Sequence, residues 1–372
     1  MVRVNSLEIH PPLMNASCAW ACEYDQLREL YDCPYIGAVT TRTAILNGFS
    51  ETERNTVRNG LLLTLCNAEV PEQVVFDAKT GSTLNSYGYS PHPLTEYLSW
   101  VYALLTTPTA AGTAPHKPIL VSITASTPTI LEEMLVEIQD LRSRLHRAHQ
   151  QRPVLPGAVD PATLIGVELN TSCPNIKDTT PAAYNFPLLT PLLDTLSSAF
   201  YADPTLTIGL KLPPYVYATR FQEVVRSIST YSRVRPAPGT DGTQAASVNP
   251  FAYLECTNTL GNSLFFADQV VSTAPSAQIN GEASTFALPS PLGGLGGDAI
   301  HSLALGNVFS FAQLLNAHPD PAVSRIVIIG AGGVSSPEGL ERMKKAGAKI
   351  VACATLLGRV GVKGFEYLSQ VA

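Results

Sequence analysis

Eight short apolar runs, separated by stretches of helical periodicity, constrain this chain more than any other feature. They are 13–17, 35–41, 119–123, 164–170, 206–212, 251–257, 325–329 and 349–353. Most are apolar at successive rather than alternate positions, as parallel strands covered by helices are. Between them, Ile130, Leu131, Met134, Leu135, Ile138, Leu141 and Leu145 recur at helical spacing, with Thr127 as cap and Pro128 in the first turn. Phe221, Val224, Val225 and Ile228 form a second stripe, and Ala304, Leu305, Val308, Phe311, Leu314 and Leu315 a third. Ser336 and Pro337 open a further helix that Gly347 closes. Eight strands alternating with helices predict an α/β fold, a (β/α)8 TIM barrel.

Such a barrel usually closes within about 250 residues, so a chain of 372 residues must carry insertions. Segments 106–118, 150–161 and 235–250 are rich in Pro, Gly, Ala, Ser and Thr and read as surface loops, as does the longer 275–297. No repeat or linker divides the chain, so residues 1–372 read as a single domain. Charged residues are only 15% and apolar ones 45%, which excludes disorder and leaves apolar surface for a subunit contact. Net charge is −6 and no basic run occurs, which argues against nucleic acid. The longest apolar stretch, 61–65, falls well short of the ~18 residues of a membrane span, and the start has no apolar signal-peptide core. Seven cysteines, Cys18, Cys22, Cys33, Cys66, Cys173, Cys256 and Cys353, include no CxxC pair. That disfavours a disulfide frame and a zinc site alike and points to a reducing compartment, the cytoplasm. His146 and His149 fall on a charged helix face, where solvation accounts for them. There is no Walker A loop and no GxSxG elbow.

In a barrel the chemistry lies at the C-terminal ends of the strands. Read in order, those ends carry Asn15-Ala16-Ser17, Thr41-Arg42-Thr43, Ser122, Asn170-Thr171-Ser172-Cys173-Pro174-Asn175, Lys211, Thr257-Asn258-Thr259, Gly330-Ala331-Gly332-Gly333 and Ala354-Thr355. Amides and hydroxyls dominate, with two cations and one thiol. No carboxylate belongs to the set, which disfavours glycosidase and metal-hydrolase chemistry. Asn side chains suit a flat, amide-rich ring. Lys211 suits a developing negative charge, or is a rim lysine paired with a surface carboxylate. Gly332 and Gly333 with Thr355 form a phosphate cradle, or an ordinary strand-to-helix turn. Cys173 has no histidine nearby in sequence, so it reads as a general base rather than a nucleophile, if it is not inert. The stretch Asn85-Ser86-Tyr87-Gly88-Tyr89 is either a packed turn or a nest for a carboxylate or ring.

Taken together, these residues resemble the dihydroorotate dehydrogenases, in particular the soluble, fumarate-linked class 1A. The resemblance rests on MNAS (14–17), NSYG (85–88), LNTSCPN (169–175), GLKLPPY (209–215), TNTLGNSLF (257–265), GGLGG (293–297), IIGAGG (328–333) and ATLL (354–357), in family order, with Tyr184 and Phe186 on the loop after Cys173. It implies FMN at the top of the barrel, held by Ala16, Ser17, Arg42, Thr43, Asn85, Asn170, Lys211 and Thr257. The phosphate would lie on Gly297, Gly332, Gly333, Ala354 and Thr355. The substrate would be met by Arg42, Asn85, Tyr87, Gly88, Tyr89, Asn170, Asn175, Asn258 and Thr259. The resemblance further implies that Cys173, on a mobile loop, removes the C5 proton of dihydroorotate. A hydride leaves C6 for flavin N5, Lys211 stabilises the charge that develops, and fumarate reoxidises the flavin. Class 2 members use serine as base and carry a membrane segment, and class 1B needs an iron–sulfur partner. Cys173 and LPPY therefore point to class 1A and a homodimer.

The chain also departs from the family pattern. Arg42 stands where a lysine is usual, and Arg is a bulkier, forked anion ligand. Cys18 stands for a glycine, Tyr87-Gly88-Tyr89-Ser90-Pro91 for Met-Gly-Leu-Pro-Asn, and Ala354-Thr355 for Gly-Thr. The Gly-Asn-Pro loop is not recognisable in 47–58, and the sequence after Val360 looks too short for the usual closing helix. These departures motivate a second reading, an FMN oxidoreductase of the same fold acting on another dihydropyrimidine or unsaturated ring. A flavin-binding paralogue without activity is the third.

Overall fold

The computed structural model describes residues 1–49, 73–77, 79–110, 112, 116–151, 159–173, 175, 180–236, 245–270, 278–279, 282–283 and 285–370. The apolar stretch 61–65, Cys66, Pro174 and most of the 47–58 segment lie outside them, as do parts of the four predicted insertions.

All eight predicted strands form, most with trimmed ends and the seventh shifted two residues on: β1 (Leu13–Asn15), β2 (Val39–Thr40), β3 (Ile119–Ile123), β4 (Ile165–Asn170), β5 (Thr207–Leu212), β6 (Phe251–Cys256), β7 (Val327–Ala331) and β8 (Ile350–Cys353). They make one parallel sheet in the order β1-β8-β7-β6-β5-β4-β3-β2. A parallel bridge between Met14 and Ala38 brings its two edges together. The fold is thus a (β/α)8 TIM barrel.

Two apolar layers hold it. Outside the ring, strand residues such as Val121, Val167, Ile208 and Leu254 pack against helix stripes. Helix Pro128–Gln150 carries one of them and is capped as expected, Thr127 accepting from the Ile130 N–H. Ala218–Ser229, His301–Asn316 and Pro337–Ala346 carry others, and Gly347 closes the last of these at φ +121°. Inside the ring, Met14, Ala38, Leu120, Tyr253, Ile329, Ile350 and Ala352 fill the centre. Tyr253 reaches across the space left by Gly209, where an added Cβ would sit 2.1 Å from its ring.

Three parts lie outside the sequence expectation. Residues Val2–Val4 and Leu7–Ile9 form an antiparallel hairpin whose Val4, Leu7 and Ile9 join the interior cluster. A four-stranded antiparallel sheet, Leu260–Leu264, Leu292–Gly297, Ser82–Asn85 and Val74–Phe76, rises beside the C-terminal rim. It takes in the end of the 275–297 insertion, while the 235–250 insertion belongs to a hairpin of Arg233–Pro236 and Ala245–Val248. After Val360 the chain forms a helix, Lys363–Ser369, that buries Phe365 and Leu368, contrary to the expectation of a missing closing helix. Among the described residues, no helix is long and apolar enough to cross a membrane.

Candidate functional site

The C-terminal ends of the barrel strands and the small upper sheet line a cleft with two adjoining halves of about 620 and 700 Å³, the solvent they open to included. Ser17, Asn258, Thr259, Ala354 and Thr355 line both halves, so the two are continuous. Every residue assigned above to cofactor, substrate or catalysis lines one half or the other, whereas the strand-end residues Asn15, Thr41, Ser122, Thr171, Ser172 and Gly330 line neither.

The first half is an anion-shaped end. Gly332 and Gly333 have φ of +130° and +63°, and a Cβ on Gly333 would meet the Gly297 carbonyl oxygen at 2.6 Å. Side chains are therefore excluded and backbone is exposed to the cleft. The buried Thr257 Oγ1 has no hydrogen-bond partner among the described residues. Thr355 shares a hydrogen bond with Thr83 of the upper sheet at 3.2 Å. Arg359, on the helix Thr355–Val360, lines this end and adds a cation, with the Asp298 carboxylate in the same lining. Sequence reading missed it; the available signal was an arginine one turn beyond Thr355.

The second half is a lattice of amides. Asn170 Nδ2 donates to Thr43 Oγ1 at 2.9 Å, and its oxygen accepts from the Ser172 N–H at 3.1 Å and from Asn258 Nδ2 at 3.2 Å. Asn175 Nδ2 donates to Asn85 Oδ1 at 3.0 Å and to the Tyr87 carbonyl at 2.9 Å. Asn85 ends a strand of the upper sheet, so the segment 85–89 is an anchored rim, not a free turn. Cys173 Sγ lies 3.9 Å from the Tyr87 carbonyl. Burial raises the Cys173 thiol above its ordinary value, and the Asn175 N–H, Arg42 and Lys211 only partly oppose this. Trp20 and Cys18, neither a candidate before, also line this half. Burial pushes the Cys18 thiol up to about 11.

The two cations are both engaged. Arg42 is buried and donates to the carbonyls of Gly88 at 3.2 Å and Tyr89 at 3.1 Å and to Cys22 Sγ at 3.3 Å. Lys211 is buried too, with Nζ 2.8 Å from Glu255 Oε1 and 3.3 Å from the Ser17 carbonyl. Burial disfavours its charge, but Glu255 and Glu168 together hold its pKa above the ordinary lysine value. This corrects two expectations. The lysine is paired with a buried carboxylate rather than a surface one, and carboxylates do belong to the site: Asp298 on its wall, Glu255 and Glu168 one layer beneath its floor. The signal was present for one of them: Gly166, Glu168 and Asn170 share one face of β4 by the period of two.

Residues 246–370 match the family model described as Dihydroorotate dehydrogenase. That span holds Thr257, Asn258, Thr259, the glycine cradle and Thr355, but neither Cys173 nor Lys211. The chain is 29% identical over 300 residues to a Streptococcus pyogenes (serotype M5) protein named "Putative dihydroorotate dehydrogenase A (fumarate)", covering 81% of this chain and 74% of that one. A Streptococcus agalactiae (serotype Ia) protein of the same name is 30% identical over 204 residues, 55% of this chain and 52% of that one. The resemblance to the dihydroorotate dehydrogenase family is borne out.

Proposed function

We propose that this protein is an FMN-dependent oxidoreductase that converts dihydroorotate to orotate. The observation that carries this reading is the continuous cleft, with a glycine cradle and Arg359 at one end and an amide lattice with Cys173 and Arg42 at the other. The residues present fit FMN. The cradle has no room for a Cβ, the buried Thr257 hydroxyl lacks a partner among the described residues, and Arg359 supplies a cation. Gly297, Gly332, Gly333, Ala354 and Thr355 would hold its phosphate. Ala16, Ser17, Arg42, Thr43, Asn85, Asn170, Lys211 and Thr257 would hold its ring. When bound, FMN supplies the two-electron acceptor for the hydride leaving C6 of dihydroorotate, with fumarate as the final oxidant.

The protein's own part is binding and proton removal. Asn85, Asn170, Asn175 and Asn258 offer paired amide donors and acceptors to the flat pyrimidine, with Thr259 and the rim Tyr87–Tyr89 beside them. Arg42 faces the substrate carboxylate. Cys173, as thiolate, takes the C5 proton. Lys211 remains charged near the developing negative charge. The same reading takes residues 1–372 as one FMN-binding barrel domain acting as a cytoplasmic homodimer, which light scattering on the purified protein tests.

The deciding experiment is spectroscopic. Protein loaded with FMN is mixed with dihydroorotate without oxygen. Bleaching of the flavin and recovery with fumarate are expected. A flavoprotein that ignores dihydroorotate but bleaches with dithionite would overturn the substrate. It would favour the second reading, a related dihydropyrimidine or unsaturated ring. That reading has one specific observation behind it: the Arg42 fork is already spent on Gly88, Tyr89 and Cys22. Protein that takes up no FMN overturns both.

A further inference from the structure

Glu168 and Glu255 are fully buried titratable groups that the proposed reaction does not use. Glu255 stands beside Lys211 in the β5–β6 register, and Glu168 lies two residues before Asn170, which pairs with Lys211 from β4. Lys211 joins them to the cleft: its ammonium contacts Glu255 below and the Ser17 carbonyl at the cleft wall. Two carboxylates and one ammonium in an apolar barrel leave one negative charge too many if all are ionised. One carboxyl must keep a proton.

The ion pair says which. Lys211 Nζ lies 2.8 Å from Glu255 Oε1, whereas Glu168 has no ion-pair partner among the described residues and meets the Ser122 hydroxyl at 3.0 Å. Glu168 Oε2 and Glu255 Oε2 are both buried without a hydrogen-bond partner among the described residues. A proton kept on Glu168 supplies the donor that a hydrogen bond between the two carboxyls needs. Burial, and then the neighbouring Glu255 charge, push Glu168 well above the carboxylate range, in agreement with the geometry. Glu255 is left as the ion, held between Lys211 and a neutral Glu168.

We propose that Glu255 is a positioning residue that sets the electron affinity of the cofactor in the cleft, by supplying the counter-charge that attenuates Lys211. This rests on the FMN reading. A reduced flavin carries more negative charge than an oxidised one, so any loss of the Glu255 charge favours reduction. Glu168 is its neutral support.

The test is the midpoint potential of bound FMN, read by dye equilibration, together with the affinity of the flavin for sulfite, which rises as nearby positive charge is exposed. In Glu255→Gln the reduced form gains at least about tenfold, a rise of ~30 mV for a two-electron couple. Sulfite binding tightens in parallel. Glu168→Gln, which replaces one neutral donor with another, shifts neither by more than a small factor. The Glu168→Gln/Glu255→Gln double variant removes the acid that could take over the charge and shows the full rise. An unchanged or lowered potential in the double variant overturns the proposal. A shift in Glu168→Gln exceeding that in Glu255→Gln overturns it as well, by placing the charge on the wrong carboxyl.

A second measurement needs neither variants nor FMN. Apo-protein labelled with ¹³C-glutamate should keep one protonated carboxyl band in its infrared spectrum at pH 8, and its absence overturns the proposal. Failure of wild-type protein to take up FMN removes this inference together with the proposed function. FMN uptake without a response to dihydroorotate removes only the substrate and leaves the potential measurement decisive.

Discussion

A thiol that takes a proton from carbon must first lose its own, and Cys173 sits where burial makes that loss costly. Its pKa lies above the ordinary thiol value of 9.0, so most of the protein carries the inactive thiol at neutral pH. The active thiolate fraction grows with pH. Turnover of dihydroorotate should therefore rise about tenfold per pH unit through neutrality and level off only in the alkaline range. A pH–rate profile that is flat from 6 to 9 would assign the base elsewhere. Cys173→Ala should keep its flavin spectrum and lose at least about 10²-fold in kcat. Arg42 makes a second residue-scale case. Truncation to Ala should raise KM for dihydroorotate about tenfold or more, the worth of a charge-assisted contact, while FMN stays bound. An unchanged KM would leave Arg42 as a strut between Cys22 and the rim. Glu255 and Arg359 escaped sequence reading because their roles depend on the barrel's closure. Glu255 meets Lys211 only across β5 and β6, and Arg359, though one turn beyond Thr355, lines the cleft only once the barrel has closed.

Between residues and the molecule, elements differed in how much they announced themselves. The barrel strands are buried on both faces, so their apolar runs stand out from the Pro- and Ala-rich insertions. The helices showed themselves by stripes and caps, as at Thr127 and Ser336. The upper sheet did not. Its strand Ser82–Asn85 is mostly polar and its strand Leu292–Gly297 mostly glycine, because Thr83, Asn85, Gly296 and Gly297 turn to the cleft and only Leu84 and Leu295 are left for a small core of their own. Function thus hid structure, and the segments nearest the ligand site were the least legible as strands. One link between elements is testable by pH. His92 lies 2.9 Å from Glu23, which caps the helix Tyr24–Asp32, and 2.9 Å from Glu96 in the helix Leu94–Thr106. Hydrogen bonding to Cys22, and after it to Glu23, pushes His92 up to about 10 against the cost of burial. A raised histidine stabilises the fold fully below the unfolded value near 6.5 and ceases to do so as pH rises through about 10. His92→Gln should consequently lower stability to denaturant most at pH 6, with the difference shrinking as pH approaches 10. A penalty that is the same at both ends would mean packing, not charge, explains the residue.

At the scale of the molecule, the barrel separates what holds it together from what it does. Chemistry-bearing groups gather at the C-terminal rim, while the opposite end is sealed by the hairpin of Val2–Val4 and Leu7–Ile9. Leu7 is fully buried there, and its Cδ1 lies 3.0 Å from where a Cβ on Gly166 would stand. Two residues further along β4 on the same face comes Glu168, and two beyond it Asn170, at the cleft. One strand face thus runs from the plug, through the buried carboxyl pair, to the amide lattice. If these layers are energetically separate, a cavity at the plug should cost stability and spare the site. Leu7→Ala should destabilise the protein by about 2–5 kcal/mol, the usual range for a buried leucine. Calorimetry should register a Tm lowered by several degrees. FMN affinity and the flavin spectrum should stay at their wild-type values. A parallel loss of FMN affinity would mean that packing strain passes along β4 through the carboxyl layer to the cleft, and the hairpin would then count as part of the site's support.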